Sequence, residues 1–293
     1  MKKIAITGGK GGVGKSTVAI LLANRCIKDG GKIVLVDCDV ECPNDYLILG
    51  QKLKKPVQKI SADFPRIDKS KCQKCGACVS VCRQNAIFQA PGQYPQIFDE
   101  LCSACGACQI VFPHNAIKTE KREIGRVYQN KISDNFYLIT GEAKALLEET
   151  GPVVAEVKKY AQKLAQSQNA DFLITDTAAG THCPVIEALL DMDEIFVVTE
   201  PTPLGIHDLK LILDLIQKIS QSESQKKIPV KIVLNQADLG TREIVAELNK
   251  IAQKFNSQIE IKISYSKEIA KAYSQGNLNF NLNEVERFKN EKI

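Results

Sequence analysis

Short apolar runs of strand length recur at residues 3–7, 33–36, 172–175, 194–199, 230–234 and 258–263. Between them lie segments whose apolar positions repeat at helical spacing, among them 16–28, 205–220 and 242–255. In the last of these, Ile244, Val245, Leu248, Ile251, Ala252 and Phe255 fall on one helix face. Strands alternating with helices predict an α/β fold, with a mostly parallel sheet flanked by helices on both faces. From about residue 57 to 120 the helical period disappears, and Cys, Pro and Gly punctuate short segments instead. Here the chain repeats itself at an offset of 30 residues: CQKCGACVSVCRQNAI (72–87) matches CSACGACQIVFPHNAI (102–117) at nine of sixteen positions. Duplication of a small unit accounts for this. The pattern predicts a compact module (59–121) inserted into one α/β domain made of 1–58 and 122–293. Residues 125–137 read as strands returning to the main sheet.

The 293 residues are 44% hydrophobic and 25% charged, which excludes disordered and collagen-like classes. No run approaches about 18 consecutive apolar residues, so no membrane-spanning helix is expected. The first apolar run ends at Thr7 and passes into glycines, unlike a secretory leader, and a cytoplasmic protein is expected. Seven of the 11 cysteines lie between residues 72 and 108. A secreted disulfide scaffold would be shorter and would spread its cysteines, so metal ligation is the expectation. The net charge of +5 is mild. The lysine runs at Lys52, Lys54, Lys55 and Lys59, and at Lys69, Lys71 and Lys74, read as solvated faces. Without interleaved aromatics, no nucleic-acid partner is expected.

Residues 4–17 read IAITGGKGGVGKST. Gly9, four residues, then Gly14, Lys15 and Ser16 fit the phosphate-binding P-loop pattern, with an apolar strand before and a helix after. Across Gly9, Gly11, Gly12, Val13, Gly14, Lys15, Ser16 and Thr17, main-chain N–H groups converge on phosphate oxygens, helped by the helix N-terminus. Lys15 would reach the β- and γ-phosphates and the Ser16 hydroxyl would bind Mg²⁺.

The extra lysine at Lys10 gives this loop its resemblance to the deviant Walker A ATPases of the MinD/Mrp type, which include the nitrogenase iron protein. The resemblance implies a P-loop NTPase fold, ATP hydrolysis and dimer formation, with Lys10 reaching the partner's nucleotide. Asp37 and Asp39, ending the second strand, resemble the family's switch I pair. By that resemblance Asp37 binds a water ligand of Mg²⁺ and Asp39 orients the attacking water. Asp176, after the strand FLIT, resembles the Walker B aspartate at the Mg²⁺ site, with Ala178, Ala179 and Gly180 as switch II. Many relatives carry Pro-Pro-Gly there. Asn235, in Asn-Gln-Ala-Asp, half-resembles a guanine-reading signature whose lysine is replaced by Gln236. In the MinD-like family the corresponding Asn bonds adenine, which implies ATP.

Cys72, Cys75, Cys78 and Cys82 have the spacing of a bacterial ferredoxin run, with Arg83 in place of the usual proline. In two-cluster ferredoxins the fourth cysteine of each run ligates the other cluster. By that rule Cys82, Cys102, Cys105 and Cys108 form a complete four-thiolate site for a [4Fe–4S] cluster. Cys72, Cys75 and Cys78 form a three-cysteine site, because position 112 is Phe rather than Cys. That site would take a [3Fe–4S] cluster, a second [4Fe–4S] cluster with an external ligand, or nothing stable. His114 is a candidate substitute ligand, against a plain loop histidine. A zinc ribbon would need two separated cysteine pairs.

Cys26 and Cys38 read as packing residues. Cys42 and Cys183 follow the two switches, and by resemblance to the nitrogenase iron protein Cys183 is a candidate ligand to a cluster shared across a dimer. Together these motifs resemble a MinD-superfamily ATPase with an inserted two-cluster ferredoxin domain of small α+β form. Three roles follow: nucleotide-gated electron transfer to a low-potential acceptor, iron–sulfur or metal-cluster assembly, and spatial positioning with structural clusters. Mrp-type carriers usually have a C-terminal C-x-x-C, and none follows Cys108. The tail, with Leu282, Val285 and Phe288 at helical spacing, is short and charge-rich for a membrane anchor. Electron transfer is therefore favoured. The expected partners are a second subunit, identical or paralogous, and a redox partner or an iron–sulfur client.

Overall fold

The computed structural model describes residues 1–111, 115–221 and 228–278. In chain order the elements are β1 (Lys2–Thr7), α1 (Lys15–Lys28), β2 (Ile33–Cys38), α2 (Asp45–Ile48), β3 (Gln58–Ile67), α3 (Ala77–Val81), β4 (Ile87–Phe88) and β5 (Gln96–Ile97). Then follow α4 (Ala107–Ile110), β6 (Ile117–Ser133), β7 (Phe136–Ala143), α5 (Gly151–Ser167), β8 (Phe172–Thr177), α6 (Cys183–Leu189) and β9 (Glu194–Thr199). The chain closes with α7 (Pro203–Gln221), β10 (Val230–Asn235), α8 (Arg242–Lys254), β11 (Ile259–Ile263) and α9 (Lys267–Ser274).

Nine strands form one sheet in the order β11-β10-β9-β1-β8-β2-β7-β6-β3. From β11 to β7 all neighbours are parallel, while β6 and then β3 add on antiparallel. Every residue of β2 and β9 is buried, as expected where helices cover both faces. Alternation sorts the side chains: Ile33 and Leu35 join a core with α1, and Val34 and Val36 join one with Val153, Val154 and Val157 of α5. A third core packs α6, α7 and α8 against Ala5, Ile195, Val197, Ile232 and Leu234. Among the described residues no helix is long and apolar enough to cross a membrane. The tail positions Leu282, Val285 and Phe288 lie outside the described residues.

β6 is 17 residues long, about 55 Å at the usual strand rise. Its C-terminal half pairs with β7 and its N-terminal half with β3, from Gln58 opposite Val127 to Ile67 opposite Ile117. This pair runs through both expected module boundaries, at 58 and 121, and is part of the main sheet. The cysteine-bearing segment proper is therefore 68–116, carried at the far end of the two strands. Residues 125–137 contribute the end of β6 and the start of β7.

Within 68–116 the repeat is visible in the backbone. Lys74 and Ala104 (φ 58° and 54°), Gly76 and Gly106 (78° and 74°), and Asn85 and Asn115 (52° and 50°) are left-handed in pairs, each 30 residues apart. Each copy opens a short helix at its glycine, and α3 packs on α4. β4 and β5 pair antiparallel between them. Asp99 ties the segment to the arm: its carboxylate accepts from both terminal nitrogens of Arg66 (2.7 and 3.2 Å) and from Arg122.

Gly141 in β7 lets α5 and the loop after β2 approach the sheet closely. A Cβ there would stand 2.7 Å from both Val157 Cγ2 and Val40 Cγ1. Gly141→Ala is expected to lower stability by about 1–3 kcal/mol, read as a shift in the chemical-denaturation midpoint.

Candidate nucleotide and metal sites

The C-terminal ends of the parallel strands converge on one cleft of about 470 Å³. The loop between β1 and α1 forms its floor through Gly11, Gly12, Gly14, Lys15, Ser16 and Thr17. Gly12 and Gly14 have φ of 81° and 95°, the left-handed region that this tight turn requires. No side chain caps α1, so its first N–H groups are left for an anion. Two expected loop residues do other work. Val13 is buried in the core beside α1, and a Cβ on Gly9 would run into Asp208 of α7.

Lys15 Nζ donates to the carbonyl of Lys10 (3.2 Å), curling over the loop. Burial lowers its pKa, and the Asp176 carboxylate opposes that shift. Ser16 Oγ donates to Asp176 Oδ2 at 2.6 Å. Asp37, 1% exposed, accepts from the N–H groups of Asp39, Asn44 and Asp45 (3.1, 2.9 and 3.1 Å). It thereby folds the 39–45 segment back over the end of β2. Asp39 lines the cleft, its carboxyl pKa raised by burial.

Sequence reasoning missed Asp45, because Asn-Asp before a helix reads as a turn or cap. Asp45 is fully buried, and an oxygen of its carboxylate lies within 4.8 Å of oxygens of Asp37 and Asp176. Burial and mutual repulsion push the Asp37 and Asp45 carboxyl pKa values well up. Burial takes that of Asp176 up to about 7. Three buried carboxylates are hard oxygen donors that suit Mg²⁺.

Lys10 does not line the cleft. Its Nζ pairs with Glu200 Oε1 at 2.5 Å, just past β9, and Thr202 Oγ1 donates to the same oxygen. Glu200 was not legible as its partner, because 190 residues separate them. Asn235 stands at the cleft wall, its amide donating to the Val13 carbonyl (2.9 Å). Tyr265 and Tyr273, also missed, line the same end and are each 47% exposed. Asp238 Oδ1 accepts from the Tyr265 N–H at 2.6 Å.

All 11 cysteines are free thiols. Cys72, Cys78 and Cys108 are buried, Cys82 and Cys102 half-buried, Cys75 and Cys105 exposed. The thiols fall into two neighbourhoods. Cys78 feels Cys72 and Cys75, while Cys102 feels Cys105 and Cys82. Burial pushes the Cys108 thiol up to about 11, and Cys102, Cys105 and Cys78 add to it. The Ala86 N–H donates to Cys82 Sγ (3.3 Å). Among the described residues no three cysteine sulfurs lie within 4.8 Å of one another. Phe112 and His114 lie outside the described residues. Cys26 and Cys38 are buried in the cores, with the Cys26 thiol pushed up to about 12. Cys42 and Cys183 are exposed. Glu149 beside Cys183 raises its thiol pKa.

Residues 4–280 match the family model for the CobQ/CobB/MinD/ParA nucleotide binding domain. The chain is 35% identical over 288 residues to protein MJ0579 of Methanocaldococcus jannaschii, covering 98% of this chain and 95% of that one. It is 37% identical over 211 residues to MJ0578 of the same organism, covering 72% of each. The solved structure of the septum site-determining protein MinD with Mg-ADP from Pyrococcus horikoshii superposes with a TM-score of 0.55 at 17% identity, covering 98% of this chain and 92% of that one.

A Cβ on Gly14 would collide with the Asn235 amide, and φ there is unfavourable for other residues. Gly14→Ala is expected to weaken nucleotide binding by at least tenfold, about 1.4 kcal/mol or more. Equilibrium binding of a fluorescent nucleotide checks this, with circular dichroism to confirm the fold.

Proposed function

We propose that this chain, which belongs to the CobQ/CobB/MinD/ParA nucleotide-binding family, is a dimeric iron–sulfur ATPase whose nucleotide state controls electron transfer from clusters in 68–116 to a low-potential acceptor. One observation carries the iron–sulfur part: Cys82, the last cysteine of the first run, lies near Cys102 of the second, as crossed ligation in a two-cluster module requires. Cys72, Cys75 and Cys78 form the second, three-cysteine site. The 68–116 segment has the strand–helix–strand–strand–helix–strand order of a duplicated ferredoxin-like module, with β3 and β6 supplying its outer strands.

At the nucleotide site, the N–H groups of the loop and of the first turn of α1 hold the phosphates. Lys15 neutralises the charge that develops on the transferred group. Ser16 and Asp176 would hold Mg²⁺, which would supply positive charge against the phosphates. Asp39, at the cleft edge, orients the attacking water. Asn235 and the two tyrosines border the base. ATP rather than GTP is supported by Gln236, which stands where a guanine-reading signature carries lysine.

Lys10 must leave Glu200 before it can reach a partner's nucleotide, so dimer formation exchanges one charge pair for another. The partner is a second copy or a paralogue, a reading supported by similarity to both MJ0579 and MJ0578.

A contiguous route supports coupling between the two sites. Val40 and Glu41, next to Asp39, bind the 143–150 segment: Ala143 N–H donates to Val40 O, and Thr150 Oγ1 to Glu41 (3.0 Å). Leu147 of that segment joins the hydrophobic cluster that also takes Phe64, Cys102 and Ala104. Along these contacts a movement of switch I would reach the loop of the four-cysteine site.

The test is the cluster reduction potential with and without a non-hydrolysable ATP analogue. A nucleotide-dependent shift that disappears in Lys15→Ala is expected, together with ATP-dependent reduction of a low-potential acceptor. An unchanged potential combined with cluster transfer to an apo-protein would overturn gating in favour of assembly. Iron analysis and EPR test the unequal sites. About eight iron per chain with two ordinary cubane signals would contradict a three-cysteine site.

A further inference from the structure

The phosphate loop alone does not account for the three buried carboxylates behind it. Asp37 has a structural task, because its oxygens take three main-chain N–H groups. Asp176 takes one hydrogen bond from Ser16, whose hydroxyl lies beside Asp45 but donates to Asp176. Asp45 is different. It is 0% exposed, and neither of its carboxylate oxygens has a hydrogen-bond partner. Asp176 Oδ1 has none either. An orphaned buried carboxylate costs several kcal/mol unless a counter-charge meets it. The main chain gives Asp45 no freedom to escape: its own N–H is held by Asp37, at the first residue of a one-turn helix. Its carboxylate lies within 4.8 Å of those of Asp37 and Asp176.

We propose that Asp37, Asp45 and Asp176 hold one hard divalent cation before any nucleotide arrives, and that Asp45 is the ligand that makes this binding independent of nucleotide. Mg²⁺ in nucleotide sites is usually held by one or two carboxylates plus substrate phosphates, so it depends on the nucleotide. A third buried carboxylate changes that balance. In an octahedral Mg²⁺ site the oxygens stand about 3–4 Å apart, and the observed limit of 4.8 Å needs only a small closure. The cation so placed sits next to Ser16 and meets the phosphates on arrival. The ATPase would then bind free ATP to a protein already carrying its metal, as well as the preformed Mg–ATP complex. This inference rests on the ATPase reading only for that last step.

The test titrates the full-length protein, freed of nucleotide, with Mn²⁺, and reads free Mn²⁺ by EPR. Mn²⁺ prefers oxygen donors over the cysteines. One Mn²⁺ per chain, displaced by Mg²⁺, is expected, with the affinity falling roughly tenfold or more in Asp45→Asn. Adding ATP to the wild-type complex should bring phosphorus hyperfine coupling onto the same ion. The wild-type titration decides even if the variant folds poorly. Binding of Mn²⁺ only when ATP is present would overturn the proposal and leave the ATPase intact. An Asp45→Asn protein with unchanged Mn²⁺ affinity would overturn it equally. Mn²⁺ bound without nucleotide, in a protein that never binds ATP, would uphold the cation site and sink the ATPase reading.

Discussion

The carboxylate of Asp37 accepts three main-chain N–H groups from the loop that follows its own strand. That single buried carboxyl group decides where the 39–45 segment lies. With the segment folded back, Asp39 reaches the cleft, Asp45 turns inward, and Glu41 meets Thr150 at the start of α5. Without it the loop would have no reason to close over the end of β2. Nucleotide chemistry and the route toward the cysteine loop thus share one electrostatic anchor.

Charge is concentrated around this anchor in an unbalanced way. Three acids are buried together, with Lys15 as the nearby cation and Lys10 turned away onto Glu200. Such an arrangement favours ligands that bring positive charge to the acids and negative charge to the loop at the same time. A metal–triphosphate does both. The fold supplies this polarity by ending β1, β2 and β8 at one edge, where strand termini and a helix N-terminus meet.

The α/β alternation and the phosphate loop were legible because their signals are local: apolar runs, glycine spacing and a lysine–serine pair. The repeat was legible too, and its paired left-handed residues follow from the same spacing, although Lys74 and Ala104 carry no mark of positive φ. The β3–β6 arm was not. It pairs mainly with itself, so few of its side chains are buried on one face and no alternation marks them. Helix α5 had usable signals in Pro152 and the spacing of Val153, Val154, Val157 and Ala161. Asp45 and Glu200 were hidden for another reason, since each acquires its role only from a fold-back or a contact distant in sequence.

The cysteine-bearing segment leaves and rejoins the sheet at Ile67 and Ile117, which face each other across one antiparallel ladder. Entry and exit are therefore a single strand spacing apart, about 5 Å. Geometrically the segment occupies the place of a hairpin turn. A two-residue turn could replace it without breaking any ladder of the main sheet, and conversely any small unit with adjacent termini could be spliced there. The cysteines thus hang on the end of a two-stranded arm of the main sheet, where a change in the segment's length or sequence leaves the strand order untouched.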